Sequence, residues 1–188
     1  MTTISRRNRV EIDLTAVLWK LLRHREANLE IFLYNIHPFL MKRKLEYRIF
    51  VIEQSGKGLF NKGRLYNALF MEMQMFGTFH CVVFHDVDLL PTDSRILYSC
   101  PNFTRHMCAK VIDAYTICKY IFRKKSKYKF AFGGVTSMTV EQFKQANGFS
   151  NLYWGWGEED NDMFWRMRYA GFPVVRYSNE IAKLSHAK

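Results

Sequence analysis

Residues His80 to Pro91 read HCVVFHDVDLLP. The first half, His80 to Phe84, is a short continuous apolar run of the kind that a strand buried on both faces shows. It runs straight into Asp86-Val87-Asp88. A buried strand that ends in two carboxylates is what an α/β sheet presents at its ligand side, outside the carboxyl ends of its strands. The rest of the chain alternates around it. Upstream, a first strand is expected at Ala16 to Leu22. Glu26 to Leu40 carries Leu29, Phe32, Leu33, Ile36 and Leu40 at helical spacing, with Pro38 marking its end, and Tyr47 to Glu53 (YRIFVIE) is a second buried strand. Asn61 is placed to cap a helix on which Leu65, Leu69, Met73 and Phe76 share a face. Downstream, Arg105 to Phe122 reads as a helix with a basic outer face, and Tyr128 to Phe132 as a strand ahead of Gly133-Gly134. Thr139 with Gln142 is a capping box opening a short helix that Gly148 ends. An aromatic loop, Asn151 to Gly157 (NLYWGWG), leads into an acid-rich helix that stops near Gly171, and Pro173 to Tyr177 is a last short strand. Alternating strands and helices predict an α/β fold with a mostly parallel central sheet flanked by helices.

The chain has 188 residues, 48% hydrophobic, which suits one folding unit with a real core, and it shows no repeat and no linker. With 10 Gly and 4 Pro it is neither collagen-like nor low-complexity. Its longest membrane-span candidate, Leu14 to Leu22, is interrupted by Lys20 and is far short of the roughly 20 residues a span needs. No signal-type apolar stretch closely follows the basic N-terminus. The net charge of +11, from 28 Lys+Arg against 17 Asp+Glu, favours anionic partners. Arg6, Arg7 and Arg9 and the run from Lys119 to Lys129 carry much of it. No groove-reading motif accompanies them, so no nucleic-acid partner is expected. The four cysteines (Cys81, Cys100, Cys108, Cys118) show no zinc spacing, and their number permits a disulfide without requiring one.

Three constellations carry chemistry. Asp86 and Asp88 supply hard oxygen ligands for a divalent cation such as Mg²⁺ or Mn²⁺ that also holds a diphosphate. Glu158-Glu159-Asp160-Asn161-Asp162 puts four acids within five residues. One or two acids at a helix N-terminus would answer its macrodipole; four, beside Trp154 and Trp156, point to a carboxylate base next to a platform on which a sugar ring can stack. Arg23 and Arg25, at the end of the expected first strand, suit a pyrophosphate, and Phe60 could stack on a base with Lys62 nearby.

Together these residues resemble the β-1,4-galactosyltransferase family of inverting glycosyltransferases, which has the GT-A fold. The likeness runs from about Arg23 to Arg176. Its most specific stretches are YRIFVIEQ (Tyr47 to Gln54), FNKGRLYNALF (Phe60 to Phe70), CVVFHDVDLLP (Cys81 to Pro91) and Phe132 to Asp162. The resemblance implies that Arg23, Arg25, Phe60, Lys62, Asp86, Val87, Asp88, Ala131 and Trp156 bind the UDP-sugar donor, with Phe60 on uracil and Lys62 in place of the usual arginine. It implies Asp88 as a ligand to Mn²⁺, Glu159, Asp160 and Trp156 as binders of an N-acetylglucosamine-terminated acceptor, and Asp160 as catalytic base. Residues 14–104 would form the nucleotide-sugar half and 105–188 the acceptor half. It also implies a Cys81–Cys100 disulfide and hence a Golgi lumen.

The departures from the family carry expectations too. Ala131 stands where galactose-transferring members have a tyrosine, which leaves room for an N-acetyl group and admits UDP-N-acetylgalactosamine beside UDP-galactose. Ala114 replaces a common donor-binding lysine. Residues 1–13 match nothing. Ile181-Ala182-Lys183 begins the family's last metal-binding segment before the sequence diverges, with His186 near the place of a methionine ligand. The chain is therefore expected to be truncated or altered at its ends, incomplete at the C-terminus and without the membrane anchor of a full-length form. The expected function is transfer of galactose or N-acetylgalactosamine to the 4-hydroxyl of terminal N-acetylglucosamine on glycoproteins or glycolipids. The alternative is an inactive homologue that only binds nucleotide sugar or glycan.

Overall fold

The apolar run before the aspartates is the hub of the fold. In the structure, a computed structural model that describes residues 15–21, 26–108, 110–112, 130, 132–178 and 180–186, it forms β3 (Cys81–Asp86), buried in all but its last residue. Val82 and Phe84 enter one apolar cluster with Tyr66, Phe70, Met73, Phe143, Phe149 and Met163. Cys81 and Val83 enter a second with Phe32, Ile36, Leu40, Ile96, Tyr98 and Met107. Alternate residues thus feed cores on opposite faces, which is why the run shows no polar alternation.

β1 (Thr15–Leu21) runs parallel to both β2 (Tyr47–Glu53) and β3, with Thr15 opposite Tyr47 on one side and Cys81 on the other. β7 (Val135–Thr139) lies antiparallel to β3 and to β5 (Thr104–His106), and β5 runs parallel to β8 (Val174–Arg176). The sheet order is β2-β1-β3-β7-β5-β8, a mixed sheet in which β7 opposes its neighbours. A second sheet of order β4-β9-β6 joins β4 (Leu89–Pro91), β9 (Lys183–His186) and β6 (Lys110–Ile112). Nothing in the sequence reading anticipated β4 or β9, because three or four residues leave too little pattern to detect.

Among the described residues, two of the four helices begin at a side-chain cap. α2 (Lys62–Met73) starts behind Asn61, whose side chain accepts from the Arg64 amide. α3 (Val140–Gln145) has the Thr139–Gln142 capping box with both reciprocal bonds. α4 (Glu159–Tyr169) closes at Gly171, φ +88°, where the Phe172 amide reaches the Met167 carbonyl. α1 (Glu26–Met41) continues past Pro38 to Met41, because a proline in the last turn costs a single intrahelical bond.

Three expectations are corrected. The buried face of α2 is centred on Tyr66, Leu69, Phe70 and Met73, while Phe76 is exposed, since the helix ends at Met73 and a 3-10 turn (Gln74–Phe76) carries Phe76 away. The helix expected from Arg105 is instead β5 and β6 as far as Ile112, and residues 113–129 lie outside those described. Phe132 precedes the strand, which begins at Val135. The glycines read as the strand's exit form the turn that enters it, Gly134 having φ +81°. The Cys81–Cys100 disulfide is present, with an S–S distance of 2.01 Å.

Candidate active site

Lys62 is the first residue of α2, and the start of that helix is pinned from three directions. The Asn61 amide donates to Gln54 Oε1 (2.9 Å), and Asn61 Nδ2 donates to the Asn151 carbonyl (2.9 Å). Gly63 has no room for a side chain, because a Cβ there would run into the Ser150 carbonyl. The helix start is thereby packed on the loop around residue 150, and Lys62 is turned inward to 5% exposure.

Its ammonium finds carboxylates from two other elements. Nζ lies 2.6 and 2.8 Å from the two oxygens of Asp160, 3.3 Å from Glu159 Oε1 and 3.9 Å from Asp86 Oδ1. Burial opposes the charge on Lys62, yet Asp86, then Asp160, and behind them Glu159 outweigh it and hold the lysine well above its ordinary value. The acidic run therefore divides. Glu159 and Asp160 face Lys62, Asp162 pairs with Arg166 one turn on (2.5 Å), and Glu158 accepts from the Asn161 side chain. Helix-dipole complementarity accounts for acids in the first turn of α4; it does not account for two of them converging on a buried lysine.

Asp160 is backed by Gly133. A Cβ at that position would strike the Asp160 carboxylate, 2.8 Å from its Cγ, so the carboxylate occupies the space that glycine leaves. Asp86 closes the same corner, its amide donating to the Gly134 carbonyl at 2.8 Å. His85, beneath it, is buried and bonded to the Tyr98 hydroxyl (2.9 Å). Burial lowers its pKa to about 4, against the opposing hydrogen bond and charge of Asp86.

The aromatic loop borders this group. Gly155, at φ +89°, donates its amide to the Phe60 carbonyl (2.7 Å), so the loop is tied to the residue just before the α2 cap. Trp156 is fully exposed, and Trp154, half exposed, lies 5.4 Å beneath the Arg64 guanidinium. Of the residues singled out from sequence, Lys62, Asp86, Glu159 and Asp160 thus come together. Val87 is buried and Asp88 half-buried in the adjoining turn, and Phe60 is tied to the aromatic loop in which Trp156 lies. Arg23, Arg25 and Ala131 lie outside the described residues. Sequence reasoning missed Gly133 as the wall behind Asp160, and with it His106 and Arg176, which support that wall. Only the paired glycines offered a signal, and they read as a strand end.

Asp86 lies 3.9 Å from the Lys62 ammonium, and Asp88 is the second carboxylate of the pair. His186 lies across β4·β9 from Leu89, the residue after Asp88. Among the described residues no group of three or more His, Cys, Asp or Glu could hold a metal ion. One carboxylate with a neighbouring imidazole falls short of a manganese ligand set, so these residues do not by themselves constitute the centre expected from the sequence.

A mixed sheet carrying an acid pair at the end of its central strand is the GT-A architecture of solved glycosyltransferases. The solved structures that share the fold agree. The catalytic domain of Drosophila beta1,4-galactosyltransferase 7 in complex with xylobiose matches with TM-score 0.73 and 32% identity, covering 89% of this chain and 66% of that one. A mutant of the same enzyme in complex with manganese, UDP-Gal and xylobiose gives TM-score 0.72, with 32% identity over 88% of this chain and 65% of that one. A mannosyltransferase of Pyrobaculum calidifontis in complex with GDP-Man and Mn²⁺ shares the fold alone, at 16% identity and TM-score 0.58, over 92% of this chain and 56% of that one.

Two family models match in succession: the N-terminal region of glycosyl transferase group 7 over residues 12–101, and a galactosyltransferase domain, described as N-terminal, over residues 115–188. Human beta-1,4-galactosyltransferase 6 is 44% identical over 161 residues, which is 86% of this chain and 40% of that protein. Beta-1,4-galactosyltransferase 2 of Cricetulus griseus is 41% identical over 155 residues, 82% of this chain and 40% of that protein. The chain belongs to the β-1,4-galactosyltransferase family, and it spans about 40% of the length of these curated relatives.

Proposed function

We propose that this chain forms the catalytic part of an inverting β-1,4-glycosyltransferase that moves galactose from UDP-galactose to a sugar hydroxyl, with Asp160 as the general base. The observation that carries the reading is the Asp160 carboxylate, fixed between the Lys62 ammonium and the Gly133 backbone, in the helix that follows the exposed Trp156. The Lys62 ammonium donates to both oxygens of Asp160 and so fixes the carboxylate in place. The acceptor hydroxyl gives its proton to that carboxylate as its oxygen bonds to the anomeric carbon. The bond from that carbon to the UDP oxygen breaks on the opposite face, which inverts the configuration.

Residues 14–104 take the donor role in this reading, with Arg23, Arg25, Phe60, Asp86, Val87 and Asp88 on the nucleotide side. Residues 105–188 take the acceptor role, with Glu159, Asp160 and Trp156. The 4-hydroxyl of terminal N-acetylglucosamine is the proposed acceptor. The small Ala131 supports N-acetylgalactosamine as a second donor sugar. Mn²⁺ is the proposed cofactor, with Asp88 the residue of this chain that would contribute to holding it. The Cys81–Cys100 disulfide supports an oxidising compartment, the Golgi lumen. No helix among the described residues is long and apolar enough to cross a membrane.

Transfer assays with UDP-galactose and UDP-N-acetylgalactosamine, for the wild type and Asp160→Asn, test the reading. The variant should bind UDP as the wild type does and lose transfer by at least about 100-fold. A variant that turns over normally would remove Asp160 from the base role, and galactose-only transfer would count against the Ala131 reading. The incomplete metal donor set favours one alternative, a homologue that only binds nucleotide sugar or glycan. Calorimetric titration of UDP with and without Mn²⁺ separates the two, since metal-independent binding without any transfer identifies the alternative.

A further inference from the structure

Behind the Asp160 carboxylate stands a short chain of hydrogen bonds made by residues with no assigned part in the reaction. Arg176 on β8 donates from Nε to His106 Nδ1 at 3.1 Å, and His106 Nε2 lies 2.8 Å from the Gly133 carbonyl. A guanidinium only donates, so Nδ1 must be the acceptor. The single proton of a neutral imidazole then sits on Nε2 and points at Gly133. His106 is 5% exposed. Burial first, with Arg176 assisting and the Gly133 hydrogen bond opposing, lowers its pKa to about 4 and keeps the ring neutral. The order along the chain is therefore fixed: guanidinium to imidazole to backbone carbonyl.

That carbonyl belongs to the residue whose missing side chain makes room for Asp160. The next carbonyl, of Gly134, accepts from the Asp86 amide (2.8 Å), so the turn is clamped from β3 on one side and β5 on the other. The Arg176 guanidinium also lies 5.6 Å from the centroid of the Phe164 ring, one turn along α4 from Asp160. Lys62 sets the distance of the carboxylate, but a single ammonium lets a carboxylate swivel. The Gly133 backbone removes that freedom.

We propose that Arg176 and His106 are positioning residues that hold the Gly133 backbone as the wall against which the Asp160 carboxylate is aligned. The proposal rests on Asp160 being the base. Neither residue needs to touch substrate, and both act through Gly133.

The test uses the full chain with four variants. His106→Phe keeps the ring and removes both polar contacts. His106→Gln keeps a donor for Gly133 and an acceptor for Arg176. Arg176→Leu frees the imidazole to move its proton to Nδ1. Thr104→Val, on the same strand, removes only the bond from Thr104 to the Pro173 carbonyl (3.1 Å). His106→Phe and Arg176→Leu should each lower kcat about tenfold or more, with the KM for UDP-galactose unchanged. The double variant should be no worse than His106→Phe alone, and His106→Gln should restore most of the rate. Thr104→Val should lower stability and leave kcat intact. The Asp160 carboxyl titration, followed by carbon-13 NMR without substrate, should move in His106→Phe and stay in place in Thr104→Val. An unchanged titration in His106→Phe, or an equal loss of kcat in Thr104→Val, overturns the proposal. If the wild type transfers no sugar, the functional reading fails by itself, and the substrate-free titration still decides whether His106 sets the Asp160 carboxylate.

Discussion

The Lys62 ammonium lies 2.6 and 2.8 Å from the two carboxylate oxygens of Asp160, a residue 98 positions away in sequence. The same nitrogen faces Glu159 and Asp86. One buried cation thus holds three carboxylates that would otherwise repel each other, and the first predictions concern what happens when it, or the surface opposite it, is changed.

Lys62→Met removes the ammonium that Asp160, Glu159 and Asp86 face. Breaking a buried pair from one side typically costs about 3–5 kcal/mol. Urea unfolding at pH 7 should show a loss of that order. In the wild type the folded-state pKa of Lys62 stands above its ordinary value of 10.5. Its contribution is therefore complete at neutral pH and is lost only as alkaline pH passes the raised value. A variant as stable as the wild type at pH 7 would contradict the hub.

Gly133→Ala places a methyl group where the Asp160 carboxylate sits. The carboxylate must swing away, so transfer should fall by about 100-fold while circular dichroism remains that of a folded chain. Full activity in this variant would mean that Asp160 is not held against Gly133.

Two buried histidines predict acid sensitivity. His85 and His106 have folded-state pKa values lowered to about 4, each chiefly by burial, against an ordinary 6.5. The unfolded chain binds these protons first, so stability falls as pH drops from about 6.5 towards 4. Each histidine contributes up to about 3 kcal/mol of that loss. Urea midpoints measured across this range should decline with a slope approaching two protons, and His106→Gln should remove one proton's share. A flat profile would show that these rings already carry charge in the fold.

The disulfide between Cys81 and Cys100 joins the first residue of β3 to a position 19 residues on. A loop of that size restricts the unfolded chain by about 3 kcal/mol. Cys100→Ala should lower the thermal midpoint by more than about 3 °C, and dithiothreitol should reproduce the shift in the wild type. If neither lowers the midpoint, the bond contributes nothing to stability.

Much of the molecule was legible without coordinates because its signals are local. The run from His80 to Phe84 announced a strand buried on both faces, and Asn61 and Thr139 announced helix starts by chemistry that acts across three residues. The errors fell where local signals ran short. Arg105 carried a helical pattern into what is a three-residue strand, because β5 is set by pairing with β7 and β8 rather than by its own periodicity. The glycines 133 and 134 were assigned to the wrong end of a strand, since a turn reads alike on entry and exit.

By itself, then, the sequence determined the acid pair at the end of a central strand, the caps that start two helices and the resemblance to one family of sugar transferases. It could not say that Lys62 would meet Asp160 and Glu159, or that His106 and Arg176 would stand behind Gly133. Strand and helix periods and caps reach a few residues along the chain and are written in neighbouring side chains. The partner of a buried charge is chosen by which distant segments the closed sheet brings within hydrogen-bond reach, and a pairing across 98 residues leaves no period to read.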